Sequence, residues 1–578
     1  MIDHSVTAPE GGRTALPSHP SQRFMLRPAT VYAISAMLMT LIAIRLAVSE
    51  GGLATVLLAM LVCATSGALL MLVTRRVLVA ATMMTAQIAV VTFASWMKLK
   101  YMNMVLHAYD IAFYLTSSTT LSFLVESYTW EASWVLVVLL LTTAACVVAF
   151  RIDPVRVSRR TAGIAFALFA AGAVATAASV EERRHSLFEY EGMYLSSFYR
   201  SWAETAETLW RGQLIEAAPE GEAPPLLATR TCNLDRKPPH IIVIHHESIV
   251  QPSLFPTLGH DRRLDSFFKS DNGEAYRLKV ETYGGASVLT EFSVLTGLST
   301  YSFGGMRLFV QRLMSGKIED TIPKVLEKCG YRNVLFYPML KSFTSADRFF
   351  TGIGINEIFD LKDQGAQRVN ERDRFYYDNT MNEVGRHIAA SSRPLFAFVE
   401  TMATHWPYHE PFEPQLAVPG GGPGTHPELH EYLRRVWLAH LDYGHLRSEL
   451  ARRFPNERFL IVRYGDHHPM ATRVLLGYED GTEAEDVLLD RNSIGFQTFF
   501  AVNGVGFTPE HFDSPPLLDV PYLGTILLEA AGVPLPETYR KRRKLMTACG
   551  GLWFDCRRRE LVLSFHRQLL DAGLVKAR

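Results

Sequence analysis

Apolar and polar positions divide the chain into two unlike parts. Residues 29–180 are mostly apolar, and the rest reads as soluble and globular. The apolar part holds five long stretches, near 29–48, 52–74, 77–97, 130–150 and 161–180. Each approaches the ~20 residues that a helix needs to cross a bilayer. Five such stretches in close succession, separated by charges, read as membrane spans rather than buried core helices. The first lies too deep, behind too long a polar lead, for an ordinary cleaved signal peptide. The pattern therefore predicts a polar cytoplasmic tail over 1–28 and a five-span transmembrane domain over 29–180.

After the spans the pattern changes period. The stretch "SLFEYEGMYLSSFYRSWAETAETLW" mixes aromatic and polar residues in a way that suits either the headgroup layer or a helix packed on a soluble domain. A Pro-rich linker, "EAAPEGEAPPLLATRTCNLDRKPP", follows, so 181–238 is read as an interfacial segment and linker. The loop "KLKYMNMVLHAYDIAFYL" between the third and fourth spans is expected to lie along the membrane interface. From 239 to 578, strand-like runs alternate with helix-like ones. The strand candidates are "HIIVIHH", "YRLKVET", "RNVLFYP", "PLFAFVE", "RFLIVRY" and "IGFQTFFA". Helix candidates include "DTIPKVLEKCG", "NTMNEVGRHIAA", "VPYLGTILLEAAG" and the long run from Glu428 to Phe454. This alternation predicts an α/β domain with a largely parallel sheet.

Charge orients the chain. Arg13, Arg23, Arg27, Arg75, Arg76, Arg151, Arg156, Arg159 and Arg160 fall on one side of the spans. Lys98 and Lys100 fall on the other, with Arg45 near a helix end where it can snorkel. The arginine-rich side is expected to be cytoplasmic. Five spans then put everything after about residue 181 outside. Lys+Arg and Asp+Glu are equal at 58 each among 578 residues, a balance that argues against a nucleic-acid partner. Cys63 and Cys146 sit within spans. Cys232, Cys329, Cys549 and Cys556 lie in the outer domain, where disulfides form; Cys549 and Cys556 are the nearest pair, and three pairings are open.

In open α/β sheets, sites form beyond the carboxyl ends of strands. There "HIIVIHHES" ends in His245, His246, Glu247 and Ser248. "RFLIVRYGDHHP" ends in Gly465, Asp466, His467, His468 and Pro469, and "PLFAFVETMATHWPY" in Glu400, Thr404, His405 and Tyr408. Glu247, Asp466 and His467 make an oxygen/nitrogen ligand set for one divalent cation, Mn²⁺, Zn²⁺ or Mg²⁺. The stretch "GGASVLTEFSVLTGL" sets glycines and an alanine before Ser287, at the start of a helical pattern. Serine is a preferred helix cap, but the third helical position holds Thr290 and Glu291 comes one later, so a capping box is imperfect. Functionally, a serine here meets the positive end of a helix dipole and amides able to hold phosphate oxygens.

These motifs resemble the sulfatase-like branch of the alkaline phosphatase superfamily, within it the lipoteichoic acid synthase and periplasmic phosphoglycerol transferase group. The likeness covers the whole architecture of five spans, interfacial segment and α/β domain. Family members carry a Gly-rich turn, then a nucleophilic Thr or Ser four residues before a Glu-Phe, which here points to Ser287. Glu247 matches the family's metal glutamate, and Asp466 and His467 its Asp-His pair, so that the metal is held by Glu247, Ser287, Asp466 and His467, with manganese the first choice. His405 in "THWPY" matches a histidine that contacts substrate phosphate.

The resemblance implies a bacterial inner-membrane enzyme whose catalytic domain faces the periplasmic or extracellular side. It would move phosphoglycerol from phosphatidylglycerol to a glycan or glycolipid through a covalent intermediate on Ser287. One segment departs from the pattern. Where the synthases place a Trp and an Arg on glycerophosphate, this chain has Thr344 and Ala346. Lys341, Arg348 and His468 are the remaining substrate-contact candidates. The alternative is a phosphoethanolamine transferase with the same mechanism. Below both stand a phosphodiesterase or sulfatase, since Ser287 is followed by Val-Leu-Thr-Glu rather than x-Pro-x-Arg, and a non-catalytic sensor.

Overall fold

The computed structural model describes residues 25–50, 52–102, 105–111, 125, 129–177, 194–212, 214–222, 224–226, 232, 234, 237–342, 346–482 and 489–576. The tail 1–24, the start of the aromatic segment, much of the Pro-rich linker and Thr344 lie outside the described residues. The chain divides into two compact units. One holds the stretches up to Val48, Val56–Val90 and Ser133–Thr176; the other holds Ser49–Thr55, Val91–Ala132 and the chain from Ala177 onward.

Every expected span falls on a helix: α1 (Pro28–Ser49), α2 (Leu53–Thr74), α3 (Val77–Met102), α4 (Thr129–Ile152) and α5 (Arg159–Ala177). All five are long and apolar enough to cross a membrane. Within the first unit, Asp153 is buried and accepts from Leu78 N (2.8 Å) and Val155 N (2.8 Å). A carboxylate thereby satisfies an amide that the first turn of α3 leaves without an intrahelical partner.

The second unit carries the aromatic helix α6 (Tyr194–Arg211). Glu50 accepts from its first-turn amides, Leu195 N at 2.9 Å and Ser196 N at 3.3 Å. Leu195 and Phe198 are buried while Trp202 and Trp210 are exposed, so one face packs on protein and the other does not. The described part of the loop after α3 is packed on the rest of this unit. Val105, His107, Ala108, Tyr109 and Asp110 are buried, and Tyr109 meets Phe309 edge-on at 5.1 Å. The buried residues of this loop pack on protein.

Eight strands form one sheet in the order β4-β3-β5-β1-β6-β7-β2-β8. They are β1 (His240–His246), β2 (Tyr276–Lys279), β3 (Arg332–Phe336), β4 (Glu357–Phe359), β5 (Leu395–Thr401), β6 (Phe459–Gly465), β7 (Gln497–Val505) and β8 (Leu517–Asp519). Only β7 runs against its neighbours. The six strand runs read from sequence are all present; β4 and β8 are three residues each, too short for a period to register. Alternate residues of the central strands feed two separate cores. Ile241, Val243, Phe396, Phe398, Leu460 and Val462 enter one, and Ile242, Ile244, Ala397, Val399, Phe459 and Ile461 the other. Strands buried on both faces are the reason these runs are continuously apolar.

Helices cover both faces: α7 (Ser287–Thr296), α8 (Ile322–Lys328), α9 (Ala346–Gly352), α10 (Asp373–Ala390), α11 (Pro427–Arg453), α12 (Leu523–Ala530), α13 (Glu537–Ala548) and α14 (Arg559–Asp571). Disulfides join Cys232 to Cys329 and Cys549 to Cys556.

Candidate active site

Strand register builds the site. β1 lies between β5 and β6, and His246 is level with Thr401 on one side and Gly465 on the other. The three strands end together, so the loops that start at Glu247, Met402 and Asp466 leave from one place. Gly465 is required there: a Cβ would stand 1.8 Å from Ile249 O. Ser248 takes a left-handed conformation (φ 55), and its N–H reaches Asp466 Oδ1 at 2.7 Å. His467 N donates to the same oxygen at 2.7 Å. Both carboxylates are buried.

The glycine-rich turn delivers Ser287 to this place. Gly284, Gly285 and Ala286 have φ of 72°, 157° and 61° in succession. Ala286, not Ser287, is the N-cap of α7, and no side chain caps the helix. The capping role considered for Ser287 is therefore corrected. It is the first helical residue, and its hydroxyl is turned to the strand ends. Ser287 Oγ donates to Glu247 Oε2 at 3.0 Å and lies 3.3 Å from His467 Nε2. A non-glycine residue in the left-handed region costs about 1–2 kcal/mol, and here that strain sits beside the hydroxyl it aims.

The donors around Ser287 have the spacing of a coordination shell. His467 Nε2 is 3.4 Å from Glu247 Oε1 and 3.2 Å from Asp466 Oδ2. Tetrahedral ligands at bond lengths of about 2.0–2.2 Å lie about 3.3–3.6 Å from one another. Separations of 3.0–3.4 Å thus fit one small divalent cation held by Glu247, Ser287, Asp466 and His467. His467 Nδ1 pairs with His468 O at 2.8 Å, which leaves Nε2 as the free lone pair. His245, Glu247 and Asp466 also bring ligand atoms within 4.8 Å of one another.

His245 received no role from the sequence. Its Nε2 contacts Asp466 Oδ2 at 3.2 Å and its Nδ1 contacts Tyr464 OH at 2.8 Å, so it fixes the carboxylate's orientation. Burial pulls its pKa down, but the hydrogen bond and charge of Asp466, with Glu291 and Glu247, outweigh burial and hold it above the usual histidine value. Asp466 is pushed up by burial and pulled down further by His467 and His245, with a net fall. Glu400 and Glu291 are raised, by burial first. Glu291 accepts from Gln311 Nε2 at 2.8 Å, and Glu400 Oε1 is buried without a hydrogen-bond partner. Four carboxylates thus crowd one dry place, which favours a cation.

The other candidates lie on neighbouring loops and helices. His405 is on the loop after β5, its Nδ1 against Trp406 O at 2.5 Å. This loop joins the centre through Thr404, whose hydroxyl donates to Glu247 O, and through Tyr408, whose hydroxyl donates to Thr404 O at 2.6 Å. His468 is fully buried, with Nδ1 on Thr472 Oγ1 at 3.3 Å and Nε2 on Gln497 O at 2.8 Å. Both of its nitrogens serve the fold. Lys341 pairs with Asp363 at 2.9 Å on the surface, and Arg348 is exposed on α9. Ala346 is buried at the start of α9.

Glu281 was also not singled out by the sequence. It is buried, and its carboxylate accepts from Ser293 Oγ (3.1 Å), Ser299 Oγ (2.5 Å) and Thr300 N (2.7 Å). It ties the strand before the glycine turn to the far end of α7. The signal was the run of hydroxyl residues in "SVLTGLST", which mark donors in need of an acceptor.

Residues 240–500 match the Sulfatase family model. An uncharacterized protein of Haemophilus influenzae is 22% identical over 334 residues, 55% of this chain and 58% of that protein; the chain thus spans less than two thirds of this relative. Among solved structures, Streptococcus pyogenes phosphoglycerol transferase GacH in complex with sn-glycerol-1-phosphate is 16% identical, with TM-score 0.46, over 60% of this chain and 89% of that one. The Neisseria meningitidis lipooligosaccharide phosphoethanolamine transferase EptA is 10% identical, with TM-score 0.45, over 88% of this chain and 97% of that one.

Proposed function

We propose that the α/β domain is the catalytic part of a membrane-anchored, metal-dependent phosphotransferase of the sulfatase family with Ser287 as nucleophile. The observation that carries the reading is the position of Ser287 Oγ, 3.0 Å from Glu247 and 3.3 Å from His467 at the first turn of α7. Glu247, Ser287, Asp466 and His467 would hold one divalent ion, with manganese, zinc or magnesium as candidates. When bound, such an ion lowers the pKa of a hydroxyl and offsets charge on phosphate.

The chain's own groups supply the rest. Ser287 Oγ attacks the phosphodiester phosphorus, the bond from phosphorus to the lipid oxygen breaks, and diacylglycerol leaves with a proton. Glu247 Oε2 accepts the hydrogen bond of the serine hydroxyl before attack. The amides of Ser287 and Val288 open α7, where helix geometry leaves them no intrahelical acceptor, and are suited to phosphate oxygens. His405 contacts phosphate or carries a proton. An acceptor hydroxyl then displaces Ser287 and regenerates it.

In this reading residues 29–180 anchor the chain in the bacterial inner membrane and 239–578 form the catalytic domain on the periplasmic or extracellular side, joined through 181–238. The arginine asymmetry of the loops supports that orientation. A lipid donor accounts for the membrane anchor.

The donor favoured is phosphatidylglycerol, and the acceptor a glycan or glycolipid, on the likeness of "GGASVLTEFSVLTGL" to the phosphoglycerol group. One observation favours phosphatidylethanolamine as the second reading. Ala346, at a position where the synthases hold glycerophosphate, is buried and has no polar atom in its side chain. The test is to incubate the purified protein and Mn²⁺ separately with fluorescent phosphatidylglycerol and phosphatidylethanolamine and to follow diacylglycerol. Release from phosphatidylglycerol is expected. Release from phosphatidylethanolamine alone promotes the second reading, and release from neither overturns both.

A further inference from the structure

The loop after β5 does more than carry His405. Trp406, the next residue, is 56% exposed. It is a large ring standing in solvent beside the candidate centre, and its side chain contributes nothing visible to the core. Its ring meets His409 edge-on at 6.4 Å, and His409 is exposed as well.

The backbone under these rings is held rigidly. Arg435, on α11, is 3% exposed. Its guanidinium donates to His405 O (2.8 Å), Pro407 O (2.7 Å) and Glu410 O (3.1 Å). Glu431 holds Arg435 in turn at 3.0 Å and accepts from Phe412 N at 2.7 Å. Three carbonyls on one buried guanidinium fix the whole turn, so Trp406 is presented in a set place at little entropic cost. Beside it opens a cleft of about 700 Å³, whose walls include Tyr408, His409, Leu416, His430, Glu431 and Arg434.

The chemistry of this surface selects its occupant. An exposed indole offers a flat apolar face. His409 and His430 in the cleft wall offer hydrogen-bond partners. A pyranose ring has the matching character, with C–H groups on one face and hydroxyls around its edge. A membrane surface fits poorly: exposed Glu410, on the same Arg435-held turn, would meet anionic headgroups. The position also suits the acceptor of a transfer reaction. Two hydrogen bonds, Tyr408 to Thr404 and Thr404 to Glu247, separate the cleft from the residue that contacts Ser287 Oγ.

We infer that Trp406 and His409 form an aromatic platform that binds a sugar ring of the acceptor, next to the transfer centre. The inference rests on the reading of Ser287 as a nucleophile that passes its phosphoryl group to a glycan.

The test uses the full chain in a sugar-free zwitterionic detergent, with cellobiose as probe. Saturation-transfer NMR reads contact of the sugar's ring protons with aromatic side chains and does not depend on turnover. Wild type is expected to saturate those protons. Trp406→Ala should weaken the signal by about tenfold in apparent affinity, the size of one lost ring contact. Trp406→Phe should restore most of it. Leu441→Ala, also an exposed apolar residue but on α11, should match wild type. In parallel, diacylglycerol release from phosphatidylglycerol is measured with and without cellobiose; the ratio should fall in Trp406→Ala.

No saturation in wild type, or an equal signal in Trp406→Ala, overturns the platform. So does a Trp406→Ala protein that keeps the sugar signal but loses binding to phosphatidylglycerol vesicles, which would make the ring a membrane contact. A sugar signal that depends on Trp406, in a protein that releases no diacylglycerol, leaves the platform standing and refutes the transferase reading.

Discussion

Replacing Ser287 with alanine separates the structural from the chemical role of this residue. The structural cost follows from its contacts. Ala286 caps α7, so no cap is lost, and the ~1 kcal/mol typical of a serine cap does not apply. What is lost is one hydrogen bond from Oγ to Glu247 Oε2 at 3.0 Å. A bond to a charged acceptor contributes about 1.5–3 kcal/mol. Glu247 keeps Ser248 Oγ on its other oxygen at 2.6 Å, so the carboxylate is not stranded. The loss therefore sits at the low end of that range, against a domain stability of about 5–15 kcal/mol. The variant should purify like wild type and melt a few degrees lower. Turnover should behave otherwise: without a nucleophile the two-step route is closed, a loss of about 10⁴-fold or more. Thermal unfolding and release of fluorescent diacylglycerol check the two halves on the same preparation. Ser287→Thr keeps a hydroxyl and should retain part of the activity. Ser287→Ala turning over within about tenfold of wild type would show that Oγ does not attack phosphorus, and the mechanism built on the 3.0 Å and 3.3 Å contacts would fall.

Three further outcomes are expected. His467→Ala removes one of four donors spaced at 3.0–3.4 Å, so the purified protein should hold much less divalent metal by elemental analysis while keeping its fold; equal metal content would exclude His467 as a ligand. Burial pushes Asp373 up to about 7 from 3.8, and its Oδ2 has no hydrogen-bond partner. A folded value above the unfolded one means that its contribution is whole below about pH 4 and is lost as pH rises through about 7. Asp373→Asn should therefore raise the melting temperature at about pH 8 and change it little at about pH 4; the opposite pattern would show the carboxylate to be stabilised by charge. Ala572→Cys puts a thiol on an exposed helix end of a domain whose described cysteines are paired, and an impermeant reagent should label it in intact cells; labelling only after lysis would reverse the orientation.

Much of this molecule was legible in its sequence, for local reasons. Twenty apolar residues in a row can satisfy their backbone only as a helix in lipid, so the spans Pro28–Ser49 to Arg159–Ala177 were fixed by composition alone. Continuous apolar runs such as "HIIVIHH" and "RFLIVRY" announced strands buried on both faces, and the polar residues at their ends announced where chemistry would gather. Glu247, Asp466, His467 and Ser287 could be named as candidates because each stands next to such a strand or turn. Tertiary structure decided the rest, because the determining contacts are far apart in the chain. His245 acquires a role only from Asp466, more than two hundred residues later, and Glu281 only from the end of α7. His468 looked like part of the site by adjacency, yet its ring is consumed by Thr472 and Gln497 O. In the loop between the third and fourth spans, the sequence did not show that Tyr109 would pack on Phe309, two hundred residues later. Whether Ser287 caps a helix or faces a metal-sized cage was set by the left-handed Ala286 before it, a backbone choice that side-chain pattern does not encode. A sequence records which groups are available; which of them meet is decided when β1, β5 and β6 pair in register and bring three distant loops to one end.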